Sequence, residues 1–173
     1  MYALIPRFQT ERLKLRAYHP DDLPFFLSML ANREVIRYLI HTEPWPQDKV
    51  EKWLDICQQG WDEHGHGFWI LEHKMDRRPI GWGGLNWLPE TEETEVLYAL
   101  DQPYWGQGLA TEAAQFSVNY GFETIGLMEI IGLVIPENIP SLRVLEKSGL
   151  KFTGMAEYFG CHLRRYMIHN SNL

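Results

Sequence analysis

One run of the chain is suited to holding a charged ligand: Trp105-Gly106-Gln107-Gly108-Leu109-Ala110-Thr111-Glu112-Ala113. It joins a segment of strand character to one of helix character. Glycines at such a junction let the backbone turn so that several N–H groups point inward, and the start of a helix adds partial positive charge. Together they form a cradle for an anion. A P-loop would need Gly-Lys-Ser or Gly-Lys-Thr closing the run, and neither is present. A dinucleotide fingerprint would need a third glycine where Thr111 stands and an acid at the far end of the next strand, whereas Glu129 precedes that strand. On this run alone, a plain tight turn and an anion site both stay open. A second run, Asn138-Ile139-Pro140-Ser141-Leu142-Arg143-Val144-Leu145-Glu146-Lys147-Ser148-Gly149-Leu150, follows the next buried strand and weakens the plain-turn reading.

Other reactive side chains carry less. Cys57 falls on the apolar stripe of a helix with no histidine placed to activate it, so it reads as core. His64 and His66 flank Gly65 and lack a third ligand, so no metal is expected. Trp45, Trp82 and Trp87 read first as packing and second as lining for an acceptor pocket.

The elements that must position these residues follow from periodicity. Leu13, Leu15 and Ala17 alternate with Lys14 and Arg16, predicting a strand over 12–17. Pro20, Asp21 and Asp22 open a helix carrying Leu23, Phe26, Leu27 and Leu30. A loop with Pro44, Trp45 and Pro46 leads to a second helix over 47–63, closed by Gly65 and Gly67. Phe68–Leu71, Ile80–Trp87 and Thr94–Leu100 predict a three-strand meander. Leu109, Ala113, Phe116, Ser117 and Tyr120 mark a helix whose small residues permit close packing on a sheet. Ile130–Ile135 reads as a buried strand, Ser141–Ser148 as a short helix ending at Gly149, and Lys151–Glu157 and His162–Ile168 as two final strands. This order predicts an α/β fold with one mixed sheet, in one domain spanning 1–173.

Composition narrows the function classes. The chain has 173 residues, 45% hydrophobic and 23% charged, with a net charge of -7. That balance disfavours wrapping a nucleic-acid backbone and mildly favours cationic partners. No run reaches the roughly 18 apolar residues of a membrane span, and Met1–Arg16 lacks the layout of a secretory signal. Two cysteines, Cys57 and Cys161, make no disulfide scaffold, so a cytoplasmic protein with reduced thiols is expected.

Taken together, the two runs make the sequence resemble the GNAT superfamily of acetyltransferases, and within it the ribosomal-protein N-acetyltransferase-like branch. The resemblance extends from Thr10-Glu11-Arg12-Leu13-Lys14-Leu15-Arg16 to the closing strand. It implies a mostly antiparallel sheet splayed at the cofactor site, with helices on both faces. It implies acetyl-CoA as co-substrate, no metal, and an amine acceptor: a protein N-terminus or a small molecule. It also implies that backbone N–H groups from Gly106 to Thr111, through Gln107, Gly108, Leu109 and Ala110, hold the CoA pyrophosphate. Leu97, Tyr98, Ala99 and Leu100 match the strand end that pairs with pantetheine, Asn138 a position contacting the cofactor arm, and Ser141 one near the thioester sulfur. Many superfamily members carry Arg or Gln where Trp105 stands, while the ribosomal-protein-like branch often has Trp.

For such a reaction the chemistry can be reasoned out. An amine is mostly protonated at neutral pH and needs a base before it attacks. Glu95 resembles the acid that many family members place there, and strand alternation sets it on one face with Leu97 and Ala99, opposite Val96, Tyr98 and Leu100. The other reading is a solvated carboxylate among Glu90, Glu92 and Glu93. A strand N–H near Leu97 is placed to stabilise the oxyanion. Ser141 or Tyr98 would protonate the departing thiolate, although Ser141 also reads as a helix cap. The expected mechanism is direct transfer in a ternary complex. The competing readings are a non-catalytic CoA-binding sensor or interaction domain, and a nucleotide-phosphate binder. Neither a membrane nor a nucleic-acid partner is expected, and a homodimer is compatible with the sequence.

Overall fold

The computed structural model describes residues 4–39 and 43–171. Among them, strands β1 (Phe8–Gln9), β2 (Leu13–Arg16), β3 (Phe68–His73), β4 (Arg78–Leu88), β5 (Glu93–Leu100), β6 (Glu129–Val134), β7 (Lys151–Tyr158) and β8 (Cys161–His169) form one open sheet. Its spatial order is β1-β2-β3-β4-β5-β6-β8-β7. Every neighbouring pair is antiparallel except β5 and β6, which run parallel.

Helices cover both faces, because residues alternate across each strand and both sets are apolar in the central strands. On one face α1 (Leu23–Ala31), α2 (Arg33–Ile36) and α3 (Gln47–His64) bury Phe26, Leu30, Ile36, Val50 and Leu54 against Ile70 and Trp82. On the other, α4 (Leu109–Tyr120) and α5 (Ile139–Lys147) bury Leu109, Ala113, Leu142 and Leu145 against Leu85, Val96 and Ile130. The expected small face of α4 is real: Ala113, Ala114 and Ser117 are buried.

The predicted elements occur, with boundaries displaced by local chemistry. Pro20–Asp22 is a 3-10 turn closed by a capping box with His19, so α1 begins at Leu23. Asn32 ends α1 and its side chain caps α2. The two-residue β1 and four-residue α2 are too short to show a period, and the sequence reading has neither. A π-type turn over Gly121–Ile125, which ends at Gly126, was likewise not legible.

Candidate active site

The sheet comes apart at one seam. β4 and β5 pair without interruption from Gly81 with Leu100 to Leu88 with Glu93, whereas β5 and β6 meet only at Glu95 and Ile131. Beyond that point the two strands diverge and leave a V-shaped cleft. The Asp101 N–H donates to Ile80 O of β4 at 2.8 Å. Backbone directions alternate along an antiparallel pair, so the N–H groups of Leu97 and Ala99 also point to β4, and those of Tyr98 and Leu100 point into the cleft. The Leu100 carbonyl on that side accepts from the Trp105 indole at 2.7 Å.

That indole begins the glycine turn. Gly106 and Gly108 have φ of 73° and 77°, the left-handed region in which a side chain is strained. A Cβ at Gly106 would meet nothing within 4 Å, so its backbone faces open space. Gly108 is the N-cap of α4 and offers no side chain to cap the first-turn N–H groups. Those groups, near Leu109, Ala110 and Thr111, are therefore offered to a ligand. The turn is pinned from outside by Arg12, which donates through Nη1 to Gln107 O (2.7 Å) and through Nε to Glu112 (2.7 Å). Thr10 Oγ1 and the Arg12 N–H donate to the other oxygen of Glu112 at 2.5 and 2.7 Å. Beside the turn lies a surface cavity of about 290 Å³ lined by residues that include Arg12, Gly108, Thr111, Gln115 and Lys147.

Across the cleft, Tyr98 reaches α5. Its hydroxyl lies 3.0 Å from both Ser141 Oγ and Ser141 O. Burial raises the Tyr98 pKa well above that of a free phenol, so the hydroxyl stays protonated. The cap of α5 is Asn138 and not Ser141: Asn138 Oδ1 accepts the Ser141 N–H at 3.3 Å. That replaces the reading of Ser141 as a helix cap and leaves its hydroxyl directed at Tyr98.

Glu95 is 7% exposed, which excludes a solvated surface carboxylate. Burial pushes its pKa up to about 8, against the opposing effect of the Asn86 side chain and the Leu133 N–H. Leu133 lies two residues past the last β5–β6 pair. The carboxyl group thus sits at the apex of the cleft, where a strand backbone would otherwise have accepted that N–H.

A model of the acetyltransferase (GNAT) domain matches residues 12–151. The chain is 30% identical over 84% of its length, and 83% of the relative's, to an uncharacterized N-acetyltransferase p20 of Bacillus licheniformis. The chain belongs to this family. Spermidine N(1)-acetyltransferase of Escherichia coli K12 is 25% identical over 85% of this chain and 78% of its own. Among solved structures, an acetyltransferase of Agrobacterium tumefaciens C58 matches with a TM-score of 0.86 at 27% identity, covering 98% of this chain and 97% of that one. A ribosomal-protein-S5-alanine acetyltransferase of Vibrio fischeri shares the fold (TM-score 0.71, 18% identity, 97% and 98% covered). The protein is an acetyl-CoA-dependent N-acetyltransferase of the GNAT family.

Within this GNAT fold the remaining candidates separate by face. Trp82 is buried on the α1–α3 face with Glu95, 4.7 Å from Trp53 between ring centres, and Trp45 packs on Trp53 at 6.1 Å. Trp87 points to the opposite face and lies tilted against His64, with ring centres 5.2 Å apart. Cys57 is held as a neutral thiol by burial, and burial likewise lowers the pKa of His66. Ahead of the loop with Pro44, Trp45 and Pro46, residues Ile40, His41 and Thr42 lie outside the described residues. Sequence reasoning missed Glu93, Tyr158 and Arg165, which join around one carboxylate on the Glu95 face. Only their alternation with Glu95 and with one another hinted at a shared face.

Proposed function

We propose that this single domain, spanning 1–173, transfers the acetyl group of acetyl-CoA directly to a primary amine in a ternary complex in the cytoplasm. The observation that carries the reading is the buried Glu95 carboxyl at the apex of the cleft, on the residue of the last β5–β6 pair before the strands diverge. A carboxyl with a pKa of about 8 is closely matched to an ammonium of pKa about 8 to 10, so the proton passes between them with little cost. An arriving cation also favours the ionised carboxylate. The amine nitrogen then attacks the thioester carbon. The Tyr98 N–H, directed into the cleft, stabilises the oxyanion. That attack forms the N–C bond; collapse of the intermediate restores the carbonyl and breaks the C–S bond. The Tyr98 hydroxyl, linked to Ser141, gives its proton to the departing sulfur, and the second proton released by the nitrogen restores the hydroxyl. The glycine turn from Gly106 to Thr111 holds the pyrophosphate, with Trp105 fixing it to the strand end and Gln107 held by Arg12. The edge of β5 at Tyr98 and Leu100 pairs with pantetheine, whose passage the side chains of Leu97 and Ala99 flank, and Asn138 orders the start of α5 beside the thioester.

The acceptor class rests on this acid and on the family's transfer to amines; both a polyamine and a protein N-terminus meet it. Initial rates against both substrates test the mechanism. Intersecting double-reciprocal lines are expected, with Cys57→Ala and Cys161→Ala keeping most turnover. Parallel lines, or an acetyl-cysteine that passes its acetyl group to the amine, would replace direct transfer with a covalent route.

A further inference from the structure

The two halves of the sheet, β1 to β5 and β6-β8-β7, are joined at the seam by a single backbone bridge, yet a side-chain cluster crosses the same seam. Glu93 of β5 accepts from Arg165 Nη2 of β8 at 2.6 Å and from the Tyr158 hydroxyl of β7 at 2.6 Å. Arg165 Nε donates to the Tyr158 oxygen at 3.2 Å, and Nη1 to Thr153 Oγ1 at 3.1 Å. The paired Arg165 and Glu93 side chains are 17% and 15% exposed, so the contact is largely shielded from water. In the sheet β6 stands between β5 and β8, and the cluster therefore passes over β6.

The registers place it on the acceptor side. Arg165 pairs with Leu133, and Leu133 shares a face with Ile131, the partner of Glu95. Tyr158 shares that face with Arg165 along the β7–β8 pair, and Glu93 shares it with Glu95 two residues on. The same contacts anchor a tight turn at Phe159 and Gly160, both at positive φ, 55° and 73°. A bulky residue in that region is strained and persists where its surroundings over-determine it. Phe159 keeps half its surface exposed.

Resting on the reading of Glu95 as the acceptor-side base, we infer that Glu93, Arg165 and Tyr158 are positioning residues that fix the β7–β8 hairpin as the wall against which the amine is aligned. They touch neither the glycine turn nor the Tyr98–Ser141 pair. Their loss therefore moves the amine relative to the thioester and leaves acetyl-CoA binding alone. The similarly shielded cluster of Arg16, Asp22 and Glu72 supplies a matched control. It has comparable geometry, Arg16–Asp22 at 2.7 Å and Arg16–Glu72 at 3.1 Å, on β2, β3 and the 3-10 turn at Pro20–Asp22, with β2 three strands and β3 two strands from β5.

The test uses the full chain, with spermidine, a serine-ended and an alanine-ended peptide as acceptors, the best being carried forward. Wild type that binds acetyl-CoA but acetylates none of these refutes the acceptor reading, and this inference with it. With turnover in hand, Arg165→Met should raise the amine KM or lower kcat by a combined factor of about 10 to 100, as small misplacements do, and Tyr158→Phe by about 3 to 10. Arg165→Lys should recover part of the loss. The acetyl-CoA Kd should stay within about twofold in all three, and Arg16→Met should lower Tm without moving the amine parameters. The inference is overturned if Tyr158→Phe and Arg165→Lys both match wild type, if acetyl-CoA affinity falls in parallel, or if Arg16→Met shifts the amine parameters equally.

Discussion

The two walls of the cleft are made in different ways. In the proposed reading the cofactor wall is the contiguous turn from Gly106 to Thr111, whose working groups are backbone N–H donors held open by glycines. The acceptor wall of the same reading is assembled from side chains of β5, β7 and β8, and its central acid is buried. Backbone donors keep their character at any pH, so the first wall depends on conformation. A carboxyl takes its charge from its surroundings, so the second depends on burial and partners.

Each prediction exploits that difference. The largest effect should come from Glu95→Gln, which retains size but cannot accept the proton: the single-turnover rate at pH 7 should fall about 10²- to 10⁴-fold while the acetyl-CoA Kd hardly changes. In wild type, kcat/KM should rise with pH through about 8 as Glu95 ionises, and the mutant should lose that limb and recover part of its deficit at high pH, where the amine is already neutral. An unchanged single-turnover rate would remove Glu95 as the base.

The same substitution should alter stability in the opposite direction. Below about pH 4.5 Glu95 is neutral in both the folded and unfolded chain. As pH rises towards 8 the unfolded chain ionises it first, so the folded state loses stability across that window and levels off above it. Glu95→Gln should therefore gain stability relative to wild type between pH 5 and 8, by on the order of a few kcal/mol at pH 8. Urea unfolding at both pH values reads this directly, and a constant difference between the proteins would contradict a neutral buried carboxyl.

On the cofactor wall, Gly108→Val forces a branched residue to a φ of 77°, at a cost of about 1–3 kcal/mol. The acetyl-CoA Kd measured by calorimetry should rise about 10-fold or more, with kcat near wild type at saturation; a normal Kd would show that the turn does not bind the cofactor. A smaller effect is expected from Trp105→Phe, which keeps the ring but removes the donor to Leu100 O. The loss of about 0.5–1.5 kcal/mol should show as a few-fold weaker Kd, with the amine KM unmoved.

The helical stripes and alternating strands were legible because burial of one face demands a period, and the glycine turn was legible because left-handed backbone positions favour glycine. The short elements β1 and α2 carried no period. Trp82 and Trp87 looked alike in sequence; five residues apart on one strand, they point to opposite faces. Glu93 was grouped with Glu90 and Glu92 as a solvated acid, since nothing local distinguishes a carboxylate that meets Arg165 from one that meets water.

By itself the sequence determined the order of elements, the glycine turn and the family resemblance, all properties of residues near one another in the chain. Tertiary structure alone decided that Glu95 is buried at the apex of the cleft with its pKa raised, that Tyr98 meets Ser141 43 residues away, and that Glu93 meets Tyr158 and Arg165 at separations of 65 and 72 residues. The physical reason is that pKa and hydrogen-bond partners are set by whatever lies within a few ångströms, and in this sheet those neighbours follow from β5 lying beside β6 and from the β7–β8 hairpin meeting β5 across it.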